Sequence, residues 1–161
     1  MKKILAIDPG TKCGWAKTIF ESGTWDLAIA RHESAGMRFV RLEKFLEQCL
    51  PLNYVFYEEV GFANTTYAAQ VYGGIVATIQ KFCINNRIQY EGIPVGTIKK
   101  FTTGKGNAKK EMMIKAAEKI AGSLVEIIDD NHADAICLLN YVLLNYTIFN
   151  KEPELERTRR R

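Results

Sequence analysis

No two of the four cysteines in this 161-residue chain form a Cys-x-x-Cys pair; Cys13, Cys49, Cys83 and Cys137 are scattered. That spacing argues against a zinc site and a disulfide framework, and all four read as reduced packing residues. No apolar run reaches the roughly 20 residues that span a bilayer. The densest stretch, Ala135 to Phe149, is broken by Asn140 and Asn145 and reads as a buried helix. Met1-Lys2-Lys3 leads straight into a strand-like run with no apolar signal region behind it, which predicts a cytoplasmic protein with no membrane partner. The marks of intrinsic disorder, low hydrophobicity with high net charge, are lacking too: 47% of residues are apolar and 25% charged. The length suits one domain over 1–150 with a basic, mobile tail at 151–161.

Basic residues are missing from one long segment, and this absence says more than the net charge of +4. Residues 120–150 hold no Lys or Arg and four acids, whereas 99–119 hold seven lysines and two acids. A cationic block directly before an anionic one is expected where a polyanion and a divalent cation are bound side by side.

Apolar periodicity and turn chemistry give the order of elements. Ile4-Leu5-Ala6-Ile7, closed by Asp8-Pro9-Gly10, predicts a buried strand at 3–8. Cys13 to Phe20 and Thr24 to Arg31, flanking Glu21-Ser22-Gly23, predict a hairpin. Ser34 is the expected cap of a helix carrying Phe39, Leu42, Phe45, Leu46, Cys49 and Leu50 as far as Pro51. Tyr54 to Glu58 predicts a second short strand. The stripe Ala68, Val71, Tyr72, Ile75, Val76, Ile79, Phe82 and Cys83 predicts a long helix, and its Gly73-Gly74 pair suggests a close neighbour, since each glycine costs about 1 kcal/mol relative to alanine. Gln89 to Ile93 predicts a further strand. Asn107 is the expected cap of a Lys-rich helix, and Asp130 or Asn131 that of the last helix. Strands mixed with helices in this order predict an α/β sheet covered by helices.

Three carboxylates sit awkwardly in this scheme. Asp8 ends an almost wholly apolar strand, where it either caps the Asp-Pro-Gly turn or requires a cation. Strand alternation puts Glu58 and Glu59 on opposite faces, so at most one of them points at a given site. In Asp129-Asp130-Asn131-His132-Ala133-Asp134, helical spacing aligns Asp130 with Asp134. Helix capping accounts for Asp129 and Asp130. It does not account for Asp134, a full turn inside an apolar helix. Taken together, these acids predict an all-oxygen site for Mg²⁺ or Mn²⁺, such as pairs of ions about 3.5–4 Å apart use to clamp a phosphodiester. His132 reads as a solvent-facing polar residue, with an extra ligand or proton shuttle as the alternative. In Lys99-Lys100 and Gly104-Lys105-Gly106-Asn107-Ala108-Lys109-Lys110, lysines and glycines approach and cross a helix start. They serve either to hold phosphate or as a solvated helix face. The glycines lack nucleotide P-loop spacing.

Four segments in order carry a resemblance: Ile4-Leu5-Ala6-Ile7-Asp8-Pro9-Gly10-Thr11 with Gly14-Trp15-Ala16; Tyr57-Glu58-Glu59-Val60; Pro94 to Lys100 with Gly104 to Lys110; and Asp130-Asn131-His132-Ala133-Asp134-Ala135. Over about residues 3–146 the chain resembles a RuvC-type Holliday-junction resolvase of the compact phage and prophage branch. The resemblance implies a ribonuclease-H-like mixed five-stranded sheet flanked by helices, and a homodimer that resolves four-way DNA junctions in recombination and repair by paired cuts. It implies two Mg²⁺ ions per active site, with Mn²⁺ as a substitute. By position Asp8, Glu58 and Asp134 match the metal-binding acids. Where many relatives carry the remaining acid this chain has Asn131, and Asp130 is taken as its substitute. Lys110 matches a catalytic basic residue, and Lys99, Lys100, Lys105, Lys109 and Lys110 form the expected DNA-gripping set. Phe62 falls near an aromatic that relatives set against junction bases, and the helix at 68–84 would lie near the dimer interface. Three other readings stay open: a non-catalytic junction-binding protein, a ribonuclease of the same fold, and a sugar-kinase or actin-like ATPase, which would need two such domains.

Overall fold

The computed structural model describes residues 2–61 and 65–146. Two apolar strands lie at its centre, β1 (Ile4–Asp8) and β4 (Tyr54–Glu59), parallel and in register from Ile4↔Tyr54 to Ile7↔Tyr57. Helices cover both faces of this pair, so both strands read as unbroken apolar runs. β2 (Lys12–Ala16) and β3 (Ser22–Asp26) add an antiparallel hairpin beside β1. β5 (Gln89–Pro94) adds a parallel edge beside β4, giving the order β3-β2-β1-β4-β5. This is the mixed five-stranded sheet that the resemblance implies.

Alternation along the strands sorts the core into two layers. Leu5, Ile7, Val55 and Tyr57 face α1 (Met37–Gln48) and α2 (Thr66–Asn85), which supply Leu42, Leu46, Ile75, Ile79 and Phe82. Ile4, Ala6, Tyr54 and Phe56 face the layer of α3 (Val95–Thr103), α4 (Lys110–Ala121) and α5 (Asp130–Asn145). Trp25 is stacked between Trp15 and Phe45, with centroids 5.4 and 5.3 Å away, and so ties the hairpin to α1. All four cysteines are free and buried. Among the described residues no helix is long and apolar enough to cross a membrane.

Several local expectations are corrected. The hairpin strands are shorter than predicted, and the turn lies at Lys17–Glu21, where Lys17 N–H bonds the Glu21 carbonyl at 2.8 Å. Ser22 and Gly23 belong to β3 instead. Gly36, not Ser34, occupies the cap position of α1. α3 is a helix the sequence reading left out. It runs through Lys99-Lys100 and ends at Gly104, whose φ of 80° is the left-handed conformation that suits glycine at a helix C-terminus. The cap position of α4 is held by Lys109 rather than Asn107. Asp129 caps α5, its Oδ1 accepting from His132 N–H at 2.8 Å and from the Thr24 hydroxyl at 2.7 Å. Phe62 and the tail at 151–161 lie outside the described residues.

Two glycines explain how helices reach their positions. A Cβ on Gly14 would stand 1.9 Å from the Asn131 carbonyl oxygen, so the first turn of α5 rests directly on the backbone of β2. A Cβ on Gly74 would stand 2.4 Å from the Phe39 ring, so the close neighbour expected at Gly73-Gly74 is α1, while Gly73 has nothing within 4 Å. Gly14→Ala should therefore destabilise the protein by several kcal/mol or prevent its folding, because a rigid backbone blocks the methyl group. Gly73→Ala should stabilise it by about 1 kcal/mol through helix propensity, and Gly74→Ala should not. Urea unfolding of the three variants checks this ordering.

Candidate active site

The alternation that sends Ile4, Ala6, Tyr54 and Phe56 towards α5 sends the next residue of each series, Asp8 and Glu58, to that same face. Parallel pairing puts both acids at the C-terminal ends of neighbouring strands. Such strand ends are where open α/β sheets place their sites. Glu59 points away and is exposed, as its neighbour's inward placement requires. Asp134, one turn into α5, faces the two strand-borne acids from above.

Charge and burial show that these groups share one site. The Asp8 carboxyl is pushed well above its usual range, first by burial and then by the charges of Glu58, Asp134, Asp130 and Asp129. Glu58 is 7% exposed and pushed up to about 7 by burial and Asp134, against the opposing pull of Lys99. Asp134 is pushed up to about 6 by burial, with Lys99 and Lys110 pulling the other way and Asp130 adding to the rise. Three acids from three distant segments thus repel one another in a poorly solvated pocket, with two lysines giving partial relief.

Asp130 differs from the other three. Its carboxylate forms an ion pair with Lys110 and is held below its usual range by that bond. Among the described residues no three acidic, histidine or cysteine side chains are gathered into a ready-made ligand set. The two findings are compatible, because charges act on one another's titration over longer distances than direct coordination of one ion allows. All-oxygen donors, desolvated and carrying excess negative charge, suit a hard divalent cation, and Asp8, Glu58 and Asp134 fit that requirement. Asp130 would have to release Lys110 to join them.

The lysines divide in two. Lys99, on α3, and Lys110, at the start of α4, act on the acids. Lys100, Lys105 and Lys109 are exposed, with no ion pair among the described residues, and extend the cationic surface along the α3–α4 connection. His132 corrects the expectation of a solvent-facing residue: it is 1% exposed. Its Nδ1 accepts from Ile128 N–H at 3.2 Å, which leaves Nε2–H to donate to the Ser22 hydroxyl at 2.9 Å. The ring is a neutral strut between α5 and β3, and it helps fix the turn that carries Asp130 and Asp134. The sequence reading missed three contributors: Gly14, His132 as a support, and Thr24 on Asp129. Glycine within a strand pattern was the one available signal, since it often marks close backbone approach.

A raised carboxyl pKa means that the folded state binds protons more tightly than the unfolded one, so stability falls as pH rises from about 4 to about 7. In chelator, Asp134→Asn should therefore be more stable than the parent at pH 8, by about 1–3 kcal/mol. The difference should shrink towards pH 4, where the parent acid is protonated. Added Mg²⁺ should raise the melting temperature of the parent and leave the variant nearly unchanged. Thermal melts across this pH range, with and without Mg²⁺, check all three outcomes.

No family model matches the sequence. The crossover junction endodeoxyribonuclease RuvC of Brachyspira hyodysenteriae is 28% identical over 157 residues, covering 91% of this chain and 96% of that protein. The structure of Thermus thermophilus RuvC superposes with a TM-score of 0.67 at 19% identity, over 84% of this chain and 89% of that one. T. thermophilus RuvC in complex with its Holliday junction substrate gives 0.66 at 19% identity, over 86% and 90%. The yeast mitochondrial Holliday junction resolvase Ydc2 gives 0.60 at 12% identity, over 85% and 75%. The resemblance to RuvC-type resolvases carried by the four motifs therefore extends along nine-tenths of the sequence and through the fold of the chain.

Proposed function

We propose that this protein is a divalent-metal-dependent endonuclease that resolves four-way DNA junctions by hydrolysing phosphodiesters in pairs. The observation that carries the reading is the meeting of Asp8, Glu58 and Asp134 in one desolvated pocket, where their mutual repulsion calls for cations. The B. hyodysenteriae relative is a crossover junction endodeoxyribonuclease, and the T. thermophilus relative has been seen bound to a Holliday junction. Both support DNA as the substrate. Residues 1–150 would form the single nuclease domain, working in the cytoplasm as a homodimer, whose two sites would make symmetric cuts. The basic segment 151–161 would add charge towards DNA.

Asp8, Glu58 and Asp134 would hold two Mg²⁺ ions, with Mn²⁺ able to replace them and Asp130 completing the set. The ions would supply Lewis acidity to the attacking water and the leaving oxygen, giving 5′-phosphate and 3′-hydroxyl ends. The protein's own groups do the rest. Burial of Asp8 and Glu58 keeps water from screening the charges at the reacting phosphate. Lys99 lies beside Glu58 and Asp134 and favours their ionised forms. Lys110, with a side chain 78% exposed, is tethered to Asp130 only through its ammonium group. An incoming phosphate would compete for that ammonium, freeing Asp130 for a cation while Lys110 offsets charge on the phosphorane oxygens. Lys100, Lys105 and Lys109 would grip the flanking backbone.

The Lys110–Asp130 ion pair also suits a second reading, a junction-binding protein without catalysis. A synthetic four-way junction incubated with and without Mg²⁺ separates the two. The expected result is symmetric, Mg²⁺-dependent nicking that greatly exceeds cutting of an RNA–DNA hybrid. Binding without cleavage would favour the second reading, and preferential cutting of the hybrid would favour a ribonuclease. Asp8→Asn and Asp134→Asn should each lower the cleavage rate by about 10³-fold, or about 4 kcal/mol, while binding the junction at least as tightly because a negative charge has gone. Lys110→Ala should lower the rate by about 10- to 100-fold.

A further inference from the structure

Pairing between β4 and β1 ends at Ile7↔Tyr57, one residue short of Glu58. On its other side β4 stays paired with β5 through Glu58↔Ile93 and Glu59↔Pro94. Beyond Tyr57, on the β1 side, the strand that carries an active-site acid therefore has no further rung. A side chain from the opposite layer reaches this point. The Tyr72 hydroxyl, from the second turn of α2, accepts a hydrogen bond from Val60 N–H at 3.1 Å and donates one to the Glu58 carbonyl at 3.1 Å. A single phenol thus satisfies backbone groups on both sides of Glu59 and uses its donor and acceptor capacity together.

We infer that Tyr72 is a positioning residue for Glu58, fixing the end of β4 so that the Glu58 carboxylate is presented to the divalent cations and phosphate; this rests on the function proposed above. Glu58 is buried beside the like-charged Asp134, which repels its carboxylate, with Lys99 opposing. Its side chain can hold against that force only as firmly as its backbone is held. Pairing with β5 holds one edge of the strand end, and with β1 pairing finished the two hydrogen bonds of Tyr72 add a second hold, from a helix packed by Ile75 and Ile79 into the far side of the sheet. A backbone clamp of this kind matters because a ligand displaced by even a fraction of an ångström loses much of its contribution.

The chain offers an internal control. Tyr57 is also bonded by its hydroxyl to α2, accepting from Gln80 Nε2 at 2.9 Å, one residue from Glu58 but on the opposite face of the sheet. Tyr57→Phe and Tyr72→Phe remove equivalent hydroxyls linking the same two elements. Only the second touches the Glu58 backbone.

The test measures Mn²⁺ binding to the DNA-free protein by calorimetry, then junction cleavage as a function of Mg²⁺ concentration, for the parent and both variants. For Tyr72→Phe the inference expects Mn²⁺ affinity to fall by about 5- to 10-fold, the half-saturating Mg²⁺ concentration to rise to match, and the amide of Val60 to exchange hydrogen faster. Junction binding in chelator should stay within about twofold. Tyr57→Phe should lose stability to a similar degree and keep its metal affinity. Equal Mn²⁺ affinity in parent and Tyr72→Phe, or an equal loss in both variants, would overturn the inference by reducing Tyr72 to a general structural tie. A parent protein that binds Mn²⁺ but cuts no junction would instead count against the proposed function. The affinity comparison between parent and variant would still decide the role of Tyr72.

Discussion

The first turn of α5 lies so close over β2 that the Asn131 carbonyl fills the space a side chain at position 14 would need. The site depends on this approach. It brings an acid on a helix within range of two acids on strands, and three supports maintain it: Gly14 below, the neutral His132 bridge to Ser22, and Thr24 on the Asp129 cap. Packing holds the carboxylates near one another although their charges oppose it. A divalent cation bound there would relieve that opposition.

The surrounding charges are graded rather than uniform. Lys99 lowers the cost of ionising Glu58, and Lys99 and Lys110 that of Asp134, without cancelling it; of the four site acids, Asp130 alone has an ion pair among the described residues. A pocket neutralised by its own lysines would have little reason to take up metal, and one without lysines would not hold a phosphate beside the acids. In the proposed function, the intermediate arrangement would let Asp130 and Lys110 exchange partners when a polyanion arrives. Site formation and substrate binding would then be linked through this ion pair.

Much of this was legible in the order of residues. Apolar runs ending in Asp8 and Glu58 marked two short strands, because strands covered on both faces can be apolar at consecutive positions, while their parallel pairing was supplied by the structure. The misfit of Asp134 inside an apolar helix marked it as a candidate site residue, since isolated burial of that charge is costly. The hairpin turn, the cap positions of α1 and α4, and α3 as a whole were not legible. Local spacing does not distinguish a lysine-bearing helix from a lysine-rich approach to one. Nor does it reveal that Ser22 would leave a turn to accept a hydrogen bond from a histidine far along the chain. Gly74 gave a correct signal, a close neighbour, but its identity as Phe39 of α1 required the packed structure.

What the sequence alone determined is the set of candidate acids and the face each would occupy: two-residue alternation sets Asp8 and Glu58 on one side of the sheet, and helical spacing aligns Asp130 with Asp134. Only the tertiary structure decided which of these acids stay mutually exposed, which one pairs with Lys110, and that Tyr72 clamps the backbone of Glu58. The reason is physical. Periodicity is a property of one segment of backbone, whereas electrostatic coupling and hydrogen bonds between segments depend on distances that arise only when the segments pack together.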